Sequence, residues 1–305
     1  MSLAGTATPI LVEVPPPLSG RKGWPWVRGN ASDTKYADSE IEWPRITLVT
    51  PSFNQGRYLE ETLRSVLLQD YPNLEYIVMD GGSTDNSVEI LERYSTHLSY
   101  WQSRKDDGQS DAIASGFERA TGDIYCWLNS DDILLPGALR HVGRFFNRFP
   151  ATSVIYGNRL VVNEETSVIG KHLLLRKFTR YHWAQGLPLA QECCFWRRDI
   201  YRQVGGVDRS KFFIMDYDLF YKMWRQTRFR KTRAYLGAIR VHAETKNSKH
   251  QDIRLKELEK AKLDFALVEP GYFRIRIMNR LGRIQLLSEA MIDWVCHNQI
   301  PDLGR

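Results

Sequence analysis

Several clusters of carboxylates and small polar residues stand along the chain, most of them directly after an apolar run. Asn129-Ser130-Asp131-Asp132 follows the run from Asp123 to Leu128 and precedes Pro136. Adjacent carboxylates in that setting make a hard oxygen site suited to Mg2+ or Mn2+. Such an ion can neutralise charge on a phosphate leaving group. The same tetrapeptide also suits a turn or a helix cap. Asp80 follows Leu74 to Met79 and precedes Gly81-Gly82, where backbone can approach a ligand closely. Its carboxylate can accept hydrogen bonds from a base edge or a ribose; the alternative, capping the next helix, suits Ser83 or Asp85 better. Asp216 and Asp218 lie two apart at a helix start, so they share no helical face. One can cap the helix while the other serves as a general base, and spacing does not choose between them. His242 ends a basic strand, as a metal ligand through its imidazole or as a structural residue. After it, Lys246 to Lys249 offer donors for a lid over a diphosphate.

The elements that must position these residues alternate. A strand from Ile46 to Thr50 leads into an amphipathic helix from about Tyr58 to Gln69, with Leu59, Leu63, Val66 and Leu67 at helical spacing. A strand from Leu74 to Met79, a helix ending near Tyr94, a brief strand at Leu98 to Trp101, a helix carrying Ile113 and Phe117, and a strand from Asp123 to Leu128 follow. This alternation predicts an α/β fold: a doubly wound, mostly parallel sheet with helices on both faces. Ligands bind outside the carboxyl ends of such strands, so the polar clusters at Thr50 to Asn54, Asp80 to Asp85 and Asn129 to Asp132 should converge on one edge. Farther on, the pattern predicts a helix over 137–149, strands at 154–156 and 160–163, a less regular stretch over 170–215, a helix over 216–226, a strand over 232–241, and helices over 252–266 and 273–297. Residues 1–44, with Pro15-Pro16-Pro17, read as an extended arm whose Trp24, Trp26 and Trp43 suggest contact with the body.

The 305 residues carry a net charge of +6 and suffice for one large domain or two modest ones. Basic residues from Lys222 to Arg240 and from Arg274 to Arg283 run without an intervening acid, and are read either as phosphate-attracting surface or as solvated faces. Four cysteines without a CxxC pair fit a reduced, cytoplasmic protein. No apolar run reaches the roughly 20 residues of a membrane span, and no signal-peptide layout opens the chain. Membrane contact would therefore be peripheral, at the inner face of the plasma membrane. The segment Tyr272 to Val295, which mixes arginines with aliphatic residues, is one means of contact. Packing against the body or a second copy is the other reading.

Five segments in order, Thr50-Pro-Ser-Phe-Asn54, Asp80-Gly-Gly-Ser-Thr-Asp85, Gly108-Gln-Ser-Asp-Ala112, Trp127-Leu-Asn-Ser-Asp-Asp132 and Asp216-Tyr-Asp-Leu219, resemble those of the family 2 glycosyltransferases of the GT-A fold. The resemblance covers about residues 45–250. It implies a GT-A catalytic domain there, with a nucleotide-binding half over 45–132 and an acceptor half over 133–250, between the arm and a C-terminal helical segment over 251–305. It implies an inverting transfer from a nucleotide-diphosphate sugar, a UDP-sugar favoured, to a hydroxyl of a glycan or lipid-linked acceptor in cell-surface polysaccharide or glycoconjugate assembly. By the resemblance, Thr50 and Pro51 flank the base and Asp80 bonds it, while Phe53, Gln109, Asp111 and Asn129 complete the nucleotide site. Asp131, Asp132 and His242 hold Mn2+ or Mg2+, and Asp216 is the base, with Asp218 its rival. The sequence departs from the family's pattern twice. Asn129 replaces the first carboxylate of the DxD motif, and Met215 replaces the acid that precedes the base.

Nucleic acid is not among the expected partners. Two rival readings remain at this level: a sugar-nucleotide or glycan-binding module that has lost catalysis, favoured by Asn129 and Met215, and a nucleotidyltransferase. The latter is disfavoured because its glycine-rich basic loop is missing after the first strand, where only Gly56 and Arg57 stand.

Overall fold

The computed structural model describes residues 14–17, 20–28, 42–243, 251–267, 280, 282–288, 291 and 303. Strand β1 (Ile46–Ser52) is buried throughout because it lies in the middle of the sheet, between β2 (Leu74–Asp80) and β4 (Ile124–Trp127). Beyond β2 lies β3 (Tyr100–Ser103), and all three pairings are parallel. The intervening helices are α1 (Gly56–Leu67), α2 (Ser87–Tyr94) and α3 (Gln109–Arg119). Helix α3 sits close on β1 because Gly116 has no side chain: a Cβ there would lie 2.5 Å from Val49 Cγ1.

The second half mixes directions. It comprises β5 (Ile133–Leu134), α4 (Ala138–Arg148), β6 (Val154–Val162), β7 (Val168–His172), α5 (Arg180–Gln185), β8 (Cys194–Arg197), α6 (Arg198–Gln203), α7 (Met215–Gln226) and β9 (Phe229–Arg240). Strand order in the sheet is β3-β2-β1-β4-β8-β6-β9-β5, with β7 paired to β6. β8 runs antiparallel to both β4 and β6, whereas β6 and β9 are parallel. The α/β sheet flanked by helices is the expected architecture.

Three expectations change in detail. The strands placed at 154–156 and 160–163 are one strand, β6. Gly157 lies inside it, where a Cβ would come within 2.7 Å of Ala234 O on the neighbouring strand. The stretch 170–215 contains the end of β7, then α5, β8 and α6. The basic run 222–240 is not all surface, because Arg240 is buried. Helix α8 (Gln251–Asp264) agrees with the helix expected over 252–266. Of the helix expected over 273–297, residues 280, 282–288 and 291 are described and helical, and the remainder lies outside the described residues, as does the lid expected at 246–249. Ile284, Leu287 and Met291 are exposed. Among the described residues, no helix is long and apolar enough to cross a membrane.

An aromatic seam joins the halves. Trp127 of β4 stacks on Phe220 of α7 at 5.8 Å and meets Trp196 of β8 edge-on at 5.5 Å. Phe117 and Tyr125 stack beside them. Trp24 and Trp26 are buried against the body, with Trp24 Nε1 donating to Leu134 O at 2.8 Å.

Candidate active site

The carboxyl ends of β1, β2 and β4 bring their loops to one edge, where side chains fasten each loop to itself or to a neighbour. Asp80, buried at the end of β2, accepts four hydrogen bonds, from Gly82 N, Ser83 N, Ser83 Oγ and Ser103 Oγ, at 2.6–3.2 Å. Its carboxylate thus shapes the 81–83 turn. Gly81 packs against Asp106, whose Oδ2 would lie 2.9 Å from a Cβ there. Burial pushes the Asp106 carboxyl up, and the nearby Asp80 adds to the effect. Across the cleft, Asn54 takes a left-handed φ of 51° and accepts from Thr84 N at 2.8 Å, while its own N–H donates to Ser83 Oγ. Asp85 accepts from Gly56 N at the start of α1. Phe53 stands 59% exposed on this rim. Thr50 does not face the rim: it is buried, its hydroxyl bonded to the Tyr76 hydroxyl at 3.0 Å. Pro51 is buried beside it.

The loop after β4 divides its two carboxylates. Asp131 has a side chain 21% exposed, and its Oδ2 lies 3.1 Å from His242 Nε2. Residues 111 apart in sequence thus meet. Asp132 points the other way: buried, it accepts from Arg240 N at 3.0 Å and from Asn129 Nδ2 at 3.3 Å. Burial, with Asp131 and Glu192 beside it, holds the Asp132 carboxyl well above the usual carboxylate range. Asn129 also accepts from Gln109 Nε2 at 2.8 Å, tying α3 to this loop. Asp111, two residues after Gln109, is engaged by Arg209.

Of the two downstream carboxylates, Asp218 is buried and ion-paired with Lys222 at 2.6 Å. Asp216 is partly exposed on the first turn of α7, where it accepts from Tyr217 N and lies near enough to raise the Cys194 thiol, though burial and Glu192 act more strongly on that thiol. Ser110 Oγ donates to Lys211 O, so the start of α3 and the segment leading into α7 share this edge.

Three buried polar atoms here, Ser52 Oγ, Tyr58 OH and His242 Nδ1, have no hydrogen-bond partner among the described residues. Buried polar groups are nearly always paired, so such a cluster at one sheet edge suits a place where a ligand completes the bonding. Ser52 and Tyr58 were not singled out from sequence. Their signal was position, since Ser52 lies inside the Thr50–Asn54 segment.

A model of glycosyl transferase family 2 matches residues 47–205, just over half of the chain. The chain belongs to glycosyltransferase family 2. This glycosyltransferase is 26% identical over 218 residues to an uncharacterized glycosyltransferase of Rickettsia typhi, covering 67% of each chain. It is 40% identical over 90 residues to an uncharacterized glycosyltransferase of Mycobacterium tuberculosis, covering 29% of this chain and 34% of that one. Among solved structures, S. aureus TarS 1–349 in complex with UDP-GlcNAc matches with a TM-score of 0.56 at 17% identity, over 67% of this chain and 61% of that one. The mannosyltransferase PcManGT from Pyrobaculum calidifontis, in complex with GDP-Man and Mn2+, matches with a TM-score of 0.50 at 16% identity, over 83% and 67%. These likenesses establish the GT-A fold. The chain spans about three fifths of the TarS 1–349 chain it matches.

Proposed function

We propose that this glycosyltransferase moves a sugar, with inversion, from a nucleotide-diphosphate donor, a UDP-sugar favoured, to a hydroxyl of a glycan or lipid-linked acceptor. The observation that carries the reading is the meeting of Asp131 and His242 on the edge where β1, β2 and β4 end. Family membership supplies the chemistry, and a nucleotide sugar in each of the two structural neighbours supports the donor class.

The residues fit a divalent cation. Two ligands each about 2.1 Å from one ion and at right angles lie about 3 Å apart, which is the observed Asp131–His242 separation. Among the described residues, no group of three or more acidic, histidine or cysteine side chains could hold a metal, so an ion here would need substrate phosphates as further ligands. The ion would supply positive charge against the departing diphosphate. Asp132 supports the loop, with its oxygens turned to Arg240 and Asn129.

The chain's own groups do the rest. Phe53 offers an exposed face for the base to stack on. Ser52 Oγ stands beside it as an unpaired donor. Asp216 takes the proton of the acceptor hydroxyl as its oxygen bonds to the anomeric carbon and the bond to the diphosphate breaks on the opposite face. Asp218 is the weaker candidate, because Lys222 already holds it. An acidic neighbour at 215 is not needed for this proton transfer, and Met215 is buried. A place in cell-surface polysaccharide assembly, a cytoplasmic location and peripheral membrane contact through the exposed Ile284, Leu287 and Met291 belong to the same reading.

Transfer assays with a panel of nucleotide sugars, with Mn2+ or EDTA, test this. Metal-dependent turnover with one donor and an inverted anomeric product is expected. A retained anomeric configuration would refute the mechanism, and binding of donors without transfer or hydrolysis would favour a silent module.

A further inference from the structure

Arg240 belongs to a basic run of the sequence, yet it is almost fully buried and none of its contacts is to solvent-facing charge. Its Nη2 donates to Glu61 Oε2 at 2.5 Å. Its Nη1 donates to the carbonyls of Asn163 and Glu164 and to Thr166 Oγ1, at 2.8–3.1 Å. Its Nε donates to the Asp131 carbonyl at 2.9 Å, and its backbone N–H to Asp132 Oδ1 at 3.0 Å. One residue therefore grips both members of the Asp131-Asp132 pair, and does so two positions before His242. The Tyr58 ring sits between the two, 4.7 Å from the Arg240 guanidinium and 4.8 Å from the His242 ring. Glu61 is held in turn: Thr166 Oγ1 donates to Oε2 at 2.6 Å, and Trp26 Nε1 donates to Oε1 at 3.1 Å.

A buried charge pair with this many directed bonds has few alternative arrangements. Its cost in desolvation makes it a poor source of stability, whereas fixing geometry is a use such pairs do have. We propose that the Arg240–Glu61 pair sets the position of the Asp131–His242 ligand pair, and that Trp26 extends this support to the amino-terminal segment. The proposal rests on the reading of Asp131 and His242 as metal ligands. The pair touches neither substrate nor metal. It acts by holding a loop after β4 and the end of β9 at one spacing, so that two ligands from distant segments stay within a single ion's reach.

The test uses the full-length chain with Arg240→Lys, Arg240→Gln, Glu61→Gln, Trp26→Phe and Thr166→Val, with Arg225→Gln, exposed in the last turn of α7, as reference. Titration of Mn2+ in the presence of UDP, followed by the Mn2+ spin-resonance signal, gives metal affinity and site symmetry. UDP binding in EDTA gives the metal-free baseline. Supporting shells of metal sites typically change affinity by about 10–100-fold when removed. Arg240→Gln and Glu61→Gln are expected to weaken Mn2+ in this range and alter the spin-resonance line shape, with UDP affinity in EDTA unchanged. Arg240→Lys should recover part of the loss, and Trp26→Phe and Thr166→Val should shift it less, in the same direction. Thermal melts identify folded variants; if the Arg240 and Glu61 variants do not fold, the Trp26 and Thr166 variants decide. Folded variants that bind Mn2+ as the wild type does would overturn the positioning role. A wild type that binds UDP without any help from Mn2+ overturns the metal reading, and the positioning role with it.

Discussion

The strands β3-β2-β1-β4 and the strands β8-β6-β9-β5 build one sheet by different means. The first set is parallel, and its loops are closed locally: Asp80 binds the turn that follows it, and Asn54 and Asp85 bridge loops one strand apart. The second set is mixed, and its contributions come from afar. His242 meets Asp131, and Arg240 meets Glu61, across separations of 111 and 179 residues. Local closure makes a loop rigid whatever happens elsewhere. Distant closure makes geometry depend on the whole domain, and it also lets one site be adjusted from several segments.

The largest expected effect is in the second half. General base catalysis contributes about 10²–10⁴-fold, so Asp216→Asn should lose that much in kcat with donor affinity retained. Asp218→Asn should act mainly on stability, through Lys222. If Asp218→Asn alone stops turnover, the two roles exchange. Next comes the seam between halves. Asp131→Ala should weaken Mn2+-dependent donor binding by tenfold or more, about 1.4 kcal/mol. Asp132→Asn should weaken it less, acting only through the loop's position, because both Asp132 oxygens face protein donors. Equal losses measured by calorimetry would show that the loop does not divide its carboxylates.

Smaller effects belong to the first half. Asp80→Ala strands several loop donors, and orphaned donors cost about 1–3 kcal/mol in stability. Chemical denaturation should show that loss, and nucleotide affinity should fall with it. At the opposite edge, Glu75 accepts from Thr47 and Thr121 and pairs with Arg45. Burial pushes its carboxyl up, but these hydrogen bonds and the arginine outweigh it, and the net shift is downward. Its stabilisation is therefore present above the unfolded value of about 4.3 and is lost as pH falls below it toward the folded value. Glu75→Gln should lower Tm at pH 7 by a few degrees, roughly 2–4 °C per kcal/mol for a domain of this size. The gap should close as pH drops below about 4; a gap independent of pH would show that charge plays no part.

The same division explains what could be read in advance. In the first half, apolar runs alternate with helical periods, and each polar cluster sits where a strand must end, so fold and loop positions were visible. In the second half, Gly157 hid the continuity of β6, and the irregular stretch 170–215 concealed β8, the strand that joins the halves. Site residues divided likewise. The meeting of Asp131 with His242 is implied by the family resemblance, whereas residue type alone leaves His242 as readily structural. The burial of Arg240 was not legible, because its partner Glu61 lies on α1 and looks, in sequence, like any polar position of an amphipathic helix. Direction was also hidden: nothing in Asp131-Asp132 says which carboxylate faces the cleft, since that depends on β9. Thr50 matches the family's pattern, yet its hydroxyl serves Tyr76 in the core.

The aromatic seam gives the junction of the two halves an optical signature. Trp127 on β4 and Trp196 on β8 hold their rings 5.5 Å apart at 75°, close enough for their electronic transitions to couple. Two such chromophores in a fixed, chiral arrangement produce a paired band in circular dichroism that disappears when either strand shifts. Separation of β8 from β4 would therefore be visible without any label, as the loss of that band.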